Sequence, residues 1–421
     1  MRAPDQPCID CLEPSPPAEL PWLAVPRRAG FWLIAFVLTA TMLGTSLPTP
    51  LYDIYQGQFH FSSAVVTVTF AVYAAAVMVT LLLAGRSSDQ AGRKPVLAAA
   101  LASGALSTVV FILAPNVGLL IVGRILSGLS AGLVTGTATA TLAEMAPGPT
   151  SRRASLVATA ANMGGLSLGP LIAGLFAQYA PAPTVLVFEV YLVVLAAAAV
   201  CLSLVPETVR PPRQLPSLRF TGLGVPERGR PEFLAAAVAG FSAFSLLGLF
   251  TALGPTFVGT VLHDHNHAAQ GGVVFLLMAV GALTQVLVSR FPSRTVVMAG
   301  LGLFLAALAL IVAALSQAST ALFLAGTIVG GVAVGSVFLG SLATANRLAP
   351  PERRAQTVST YFVACYLGLI IPVIGVGVAT SFISDFRAVL AFSVVLAVLS
   401  VLALANIRQS VASALCRGPL D

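Results

Sequence analysis

The stretch GRSSDQAGRKP, residues 85–95, decides how this chain is read. It sets four charges, two glycines and a proline between two almost uninterrupted apolar runs, in a protein that is only 9% charged. Polarity so concentrated marks a hydrophilic turn between two segments that avoid water.

The composition around it fixes the class. Apolar residues make up 57% of the 421, and the mean hydropathy is +0.94. Soluble domains hold roughly 45–50% apolar and about 25% charged residues. A membrane helix needs about 20 mostly apolar residues. On that length the chain is predicted to have spans near 30–50, 62–84, 95–115, 117–139, 155–178, 184–205, 233–255, 270–289, 295–316, 319–343, 357–380 and 386–406. Runs such as Val190 to Val205 are continuous, whereas outer-membrane strands would alternate over about 10 residues. The expected fold is therefore all-α: twelve transmembrane helices in two six-helix bundles.

Basic residues favour cytoplasmic loops. Of the 22 Lys and Arg residues, all but Arg124 and Arg387 fall before the first span or after an even-numbered one. Both termini are accordingly expected in the cytoplasm. The net charge of +7 is spent on topology and calls for no nucleic acid. Residues 1–28 read as a cytoplasmic disordered tail, without the basic–apolar–small order of a signal peptide. Residues 29–206 and 232–407 read as the two bundles, 207–231 as a cytoplasmic linker and 408–421 as a second tail.

Cys8 and Cys11 form a lone CxxC with no second pair or histidine, so no metal is expected there. Cys201 and Cys365 sit within spans, where cysteine acts as a small hydrophobe. His263, His265 and His267 alternate in HDHNH between spans seven and eight. Two-residue spacing does not gather ligands on one helix face, so a solvated loop is expected rather than a zinc or copper site.

The halves repeat. GRILSGLSAGLVTG from Gly123 aligns with GTIVGGVAVGSVFLG from Gly326, and LAEMAPGPTSRRASLVAT aligns with LATANRLAPPERRAQTVST. Many transporters are built from such repeats, with the binding site between halves near the midplane.

These features resemble the major facilitator superfamily over the whole chain apart from its tails. The opening stretch is similar to that family's loop between helices 2 and 3, G-x-x-x-D-x-x-G-R-[KR], at Gly85, Asp89, Gly92, Arg93 and Lys94; Gln90 replaces the usual basic residue. The resemblance implies a conformational latch in which Asp89 contacts the cytoplasmic end of helix 11 and arginines nearby. Arg124, Gly128 and Gly132 resemble the R-x-x-x-G-x-x-x-G element of helix 4. Gly165, Gly169, Pro170 and Gly174 resemble the helix 5 element of the twelve-helix drug:proton antiporters, with Ala173 in place of a glycine. In the second half, SRFPSRTV has lost the Asp and both glycines, so the loop is one-sided.

An ionisable group inside a span is a functional candidate by default. Arg124 lies about 10 Å into its helix at 1.5 Å per residue. Asp53, Glu189 and Glu144 are the acids near span ends. Arg124 is expected to pair with Asp53 or Glu189, and the carboxylate must carry the proton, because arginine keeps its charge. In the second half Phe241, Phe244, Gln285 and Tyr361 are the candidate cavity residues, suited to a large, mostly apolar substrate.

The sequence contains no Gly-rich phosphate loop, HExxH or nucleophile elbow, which argues against an enzyme. The expected function is secondary active, proton-coupled efflux of small, largely apolar compounds. It would need no cofactor beyond the proton gradient, and a monomer in a bacterial plasma membrane is expected. The alternative is a proton-coupled or facilitative importer of a metabolite such as a sugar or organic acid.

Overall fold

A computed structural model of the chain describes residues 25–84, 87–146, 151–209, 222–227, 229–261, 266–350 and 353–416. In chain order its helices are α1 (Arg27–Ser46), α2 (Tyr52–Phe59), α3 (Ser63–Ala84), α4 (Ser87–Ala91), α5 (Arg93–Ile112), α6 (Val117–Met145) and α7 (Ser151–Tyr179). They continue with α8 (Pro183–Leu204), α9 (Arg230–Val261), α10 (His267–Val288), α11 (Ser293–Gln317), α12 (Thr320–Leu348), α13 (Arg354–Ala379) and α14 (Asp385–Cys416). All but the short α2 and α4 are long and apolar enough to cross a membrane, giving twelve among the described residues.

Local chemistry sets where the helices begin. The Asn116 side-chain oxygen accepts the Leu119 N–H at 3.2 Å ahead of α6, and Asn266 accepts from Ala268 and Ala269 at the start of α10. Such caps contribute about 1 kcal/mol each. Pro183 opens α8, where its missing N–H costs nothing.

Three details differ from the sequence reading. Proline removes a helical hydrogen bond and disfavours a helix interior, and α1 stops ahead of Pro48 and Pro50. The chain then coils at once into α2, so Asp53 stands in the first turn of a short helix rather than at the close of a span. GRSSDQAGRKP contains the short α4. The last helix continues to Cys416, through the first residues of the expected tail. Most of the expected N-terminal tail and of the 207–231 linker lies outside the described residues.

The repeat reappears in the packing. Within the first half α5 packs on α6, α3 on α6, α1 on α7, α1 on α8, and α5 on α8. Within the second half the same pairs recur as α11 on α12, α10 on α12, α9 on α13, α9 on α14 and α11 on α14. The two most extensive contacts between halves are also counterparts: α7 on α10, and α13 on α3. One apolar core is built wholly from residues of the first half, between Phe31 and Val205; a second draws on α9 to α14 together with Phe70 and Ala74 of α3.

Lipid offers no hydrophobic drive for helices to associate, so contacts rest on close packing and on interhelical hydrogen bonds of about 0.6 kcal/mol each. The Ser103 hydroxyl donates to Leu126 O, Ser107 to Gly123 O and Ser130 to Ala100 O, at 2.7 to 2.9 Å, riveting α5 to α6. Gly128 and Gly132 let α6 lie on the α3 backbone at Tyr73 and Val77.

Candidate functional site

Four arrangements position the polar and cavity-lining groups. With twelve crossings, the loops bearing most basic residues share one face, called here the basic face; the opposite one is the far face.

On the basic face the motif stretch ties helix ends together. Gly92 precedes α5 with φ +97, a conformation that side chains resist. Its turn presents the first amides of α5 to Glu207, whose carboxylate accepts the Arg93 and Lys94 N–H groups, both at 2.9 Å. A carboxylate is favoured at a helix N-terminus by the unpaired N–H groups and the dipole. The Arg93 guanidinium bonds to Glu144 at 2.7 Å, Asp89 at 2.7 Å and Ser88 at 2.5 Å. Thr208 donates to the other Glu144 oxygen at 2.6 Å. Lys94 caps the end of α8 through Ser203 O and Val205 O.

Of the expected contacts of Asp89, the one with a nearby arginine is present, and none with the eleventh span occurs among the described residues. Asp89 is 60% exposed and bonds to Arg93, four residues on, which captures it first. Gly85 lies outside the described residues. Glu144, expected among the proton-carrying groups, is held by Arg93 and Thr208. Glu207 and Thr208 were not singled out in the sequence, although an acid directly after the sixth span facing a glycine-started helix was the available signal.

Inside the first bundle, Arg124 is completely buried. Its Nε donates to the Tyr52 hydroxyl at 2.5 Å and Nη1 to Thr45 O at 2.7 Å. The guanidinium also lies over the Tyr52, Tyr73 and Phe111 rings, 5.0 to 5.9 Å from their centres. Burial raises the Tyr52 hydroxyl above the usual phenol range, against the opposing pull of Arg124. The phenol therefore stays neutral and supplies a dipole, not a countercharge.

The expected ion pair of Arg124 with Asp53 or Glu189 is absent among the described residues. The α2 helix turns Tyr52 toward Arg124 and Asp53 away from it, to within 3.9 Å of His267. Glu189 lies on the exposed side of α8. His263 and His265 lie outside the described residues, and no cluster of potential metal ligands occurs among those described.

Between the halves, α7, α9, α10 and α12 enclose a cavity lined by Met163, Leu166, Phe244, Leu247, Leu277, Met278, Gly281, Gln285, Val334 and Phe338. Two of the expected lining residues, Phe244 and Gln285, are there. Phe244 packs edge-on to Tyr366 and tilted against Phe338. Phe241 is only partly buried, and its backbone receives Gly368 of α13. Tyr361 does not line the cavity. It is fully buried with Phe233, Ala345 and Cys365, and its hydroxyl is bonded to Ser341 at 2.8 Å. The free space is ≈ 40 Å³, enough for a few waters at about 10–15 Å³ each but not for a drug-sized ligand.

Toward the far face the halves touch. A side chain at Gly174 of α7 would meet His267 O at 2.6 Å and the Gly271 Cα of α10 at 3.1 Å. Gly165 and Gly169, on another side of α7, receive α1 at Thr39, Leu43 and Ser46, and the Pro170 carbonyl receives Gly271. The antiporter-like element thus serves two neighbours, one in each half. Gly377 of α13 meets Thr67 of α3; it stands as far from Gly174 in sequence as Gly326 does from Gly123. Both of these glycine contacts lie toward the far face.

The family model described as Major Facilitator Superfamily matches residues 34–371. The chain belongs to that superfamily. It is therefore a multi-pass membrane transporter rather than an enzyme. Among curated relatives, Multidrug resistance protein 1 of Bacillus subtilis is 28% identical over 141 residues, 34% of this chain and 36% of the relative. Quinolone resistance protein NorA of Staphylococcus aureus is 24% identical over 147 residues, 35% of this chain and 38% of that protein. The chain thus matches little more than a third of the length of these relatives. Among solved structures, a D-xylose-proton symporter superposes with TM-score 0.72 at 16% identity, over 90% of this chain and 97% of that one. A bacterial homologue of the human lysosomal transporter Spinster gives TM-score 0.70 at 16% identity, over 91% and 97%. These likenesses establish the superfamily fold.

Proposed function

We propose that this superfamily member is a proton-coupled exporter of small, largely apolar compounds, working by alternating access across a bacterial plasma membrane. The observation that carries the reading is the chemistry of the cavity between the halves. Its walls are Met, Leu, Val and Phe, with Gln285 as the lone amide among the lining residues. Sites that recognise polar substrates place several convergent hydrogen-bonding groups, so this wall suits an apolar cargo over a sugar or organic acid. The glycine–proline seam of α7 and the names of the two drug-resistance relatives support the same direction of transport.

In this reading the basic face is cytoplasmic. Cargo enters from that side while the far face is closed, as the small space between the halves widens to admit it, and leaves when the seams α7–α10 and α3–α13 part. Arg124 keeps its charge throughout and organises the first bundle, leaving the proton to a group that can titrate.

Cells expressing the protein should accumulate less of a lipophilic fluorescent dye than control cells, and dissipating the proton gradient should erase the difference. An importer would show the opposite sign.

A further inference from the structure

We propose that Asp53 and His267 together form a proton-binding site that locks the far face shut. The inference rests on the proton-coupled reading above. Asp53 belongs to α2 in the first half and His267 opens α10 in the second, so the pair spans the seam that must part during transport. His267 Nδ1 lies 3.9 Å from Asp53 Oδ2 and 3.1 Å from the Gln270 side-chain oxygen. The Gln270 oxygen can accept from Nδ1–H, Asp53 sits at ion-pair rather than hydrogen-bond distance, and Nε2 is left to take up a second proton.

The setting suits exchange with solvent. The His267 side chain is 24% exposed and that of Asp53 41%, so protons reach both from the far side. The supports are rigid: Gln270 is 1% exposed, and the His267 N–H donates to Gln178 of α7 at 3.0 Å. The His267 carbonyl is also where a side chain at Gly174 would collide. A shift of His267 is thereby coupled to the glycine seam. Among the described residues, Asp53 is the titratable group facing His267 from α2; α7 presents the uncharged Gln178, and α10 the uncharged Gln270. The fixed cation nearby, Arg124, is turned onto Tyr52.

The sign follows from charge. A neutral imidazole gives Asp53 a polar neighbour, whereas an imidazolium gives it a counterion across the seam. Imidazole changes charge between about pH 5 and 8. Protonation strengthens the closed far face, and by reciprocity closure retains the proton. An exporter that has released its cargo outside would reclose on taking up a proton there.

The test measures the far face directly and needs no substrate. Spin labels at Tyr179→Cys and Phe382→Cys, exposed positions at the far ends of the two halves, report the distance across the face in the full chain in nanodiscs, with the native cysteines replaced. Lowering the pH from about 8 to about 5.5 should raise the short-distance population roughly threefold. His267→Gln and Asp53→Asn should each remove the response, and His267→Lys should give the short-distance population at both pH values. A wild-type response in a folded His267→Gln or Asp53→Asn variant would overturn the proposal, as would a wild-type protein whose distance ignores pH. Failure of dye efflux with the distance response intact would remove the exporter reading alone.

Discussion

Gly174 of α7 and Gly271 of α10 bring the two halves of the transporter together backbone to backbone, because no side chain separates them. Their counterpart across the repeat, Gly377 against Thr67, does the same for α13 and α3. Alternating access requires both seams to open, so small residues are needed where the halves must meet closely and part cleanly.

Gly271→Ala should hold the far face open. The added methyl would collide with the Pro170 carbonyl, and overpacking costs about 1–3 kcal/mol, or roughly 5–150-fold in the balance between states. Thiol labelling of Thr67→Cys, buried at the other seam, should accelerate at least roughly fivefold in the Gly271→Ala background. Equal labelling rates would show that this glycine contact does not set the closure.

Arg124→Ala should abolish transport while the protein still reaches the membrane. Arg124→Lys should not restore it, because an ammonium lacks the planar fork that serves Tyr52 and Thr45 together. Tyr52→Phe removes the acceptor for Nε and should cost about 1–3 kcal/mol of stability, read as a lower Tm in detergent. Wild-type transport by Arg124→Ala would contradict the organising role given to this residue.

The motif stretch should prove more structural at its glycine than at its aspartate. Gly92→Ala forces a side chain into φ +97 and sets its Cβ 2.8 Å from Glu207, a cost of about 1–2 kcal/mol. Asp89→Asn weakens one exposed pair, worth about 0.2–1 kcal/mol. Thermal unfolding should therefore rank Gly92→Ala below Asp89→Asn, and the reverse order would show Asp89 bearing a contact absent from this conformation.

The cavity assignment separates two aromatic residues that look alike in sequence. Phe244→Ala should raise the KM for apolar dyes severalfold, since its ring lines the cavity. Tyr361→Phe should leave transport within about twofold, as its hydroxyl serves Ser341 inside the packing; the loss is one hydrogen bond of about 1 kcal/mol. A large effect of Tyr361→Phe on dye specificity would place it back at the cavity.

The sequence carried the architecture because bilayer thickness imposes span length, and positions such as Gly85–Pro95 punctuate it. It also carried Arg124, since a cation amid α6 has few places to go. What it could not carry was partner choice. By sequence Asp53, Glu189 and Tyr52 all fall toward the same end of the bundle as Arg124, and only the turn of α2 beyond Pro50 selects the tyrosine and sends Asp53 to His267. Tyr361 and Phe244 share the same composition signal, yet the rotation of their helices buries one and turns the other to the cavity. Glu207 went unmarked for a related reason: its partners are backbone amides, which leave no trace in side-chain spacing.

Purified protein in liposomes, loaded with a lipophilic fluorescent dye on the side of the basic face, tests the central claim most directly. Imposing an acidic medium at the far face should drive dye toward it, and a protonophore should stop the movement, with Arg124→Ala vesicles behaving as empty ones. Dye movement toward the basic face under the same gradient, or movement unaffected by the gradient, would contradict proton-coupled export.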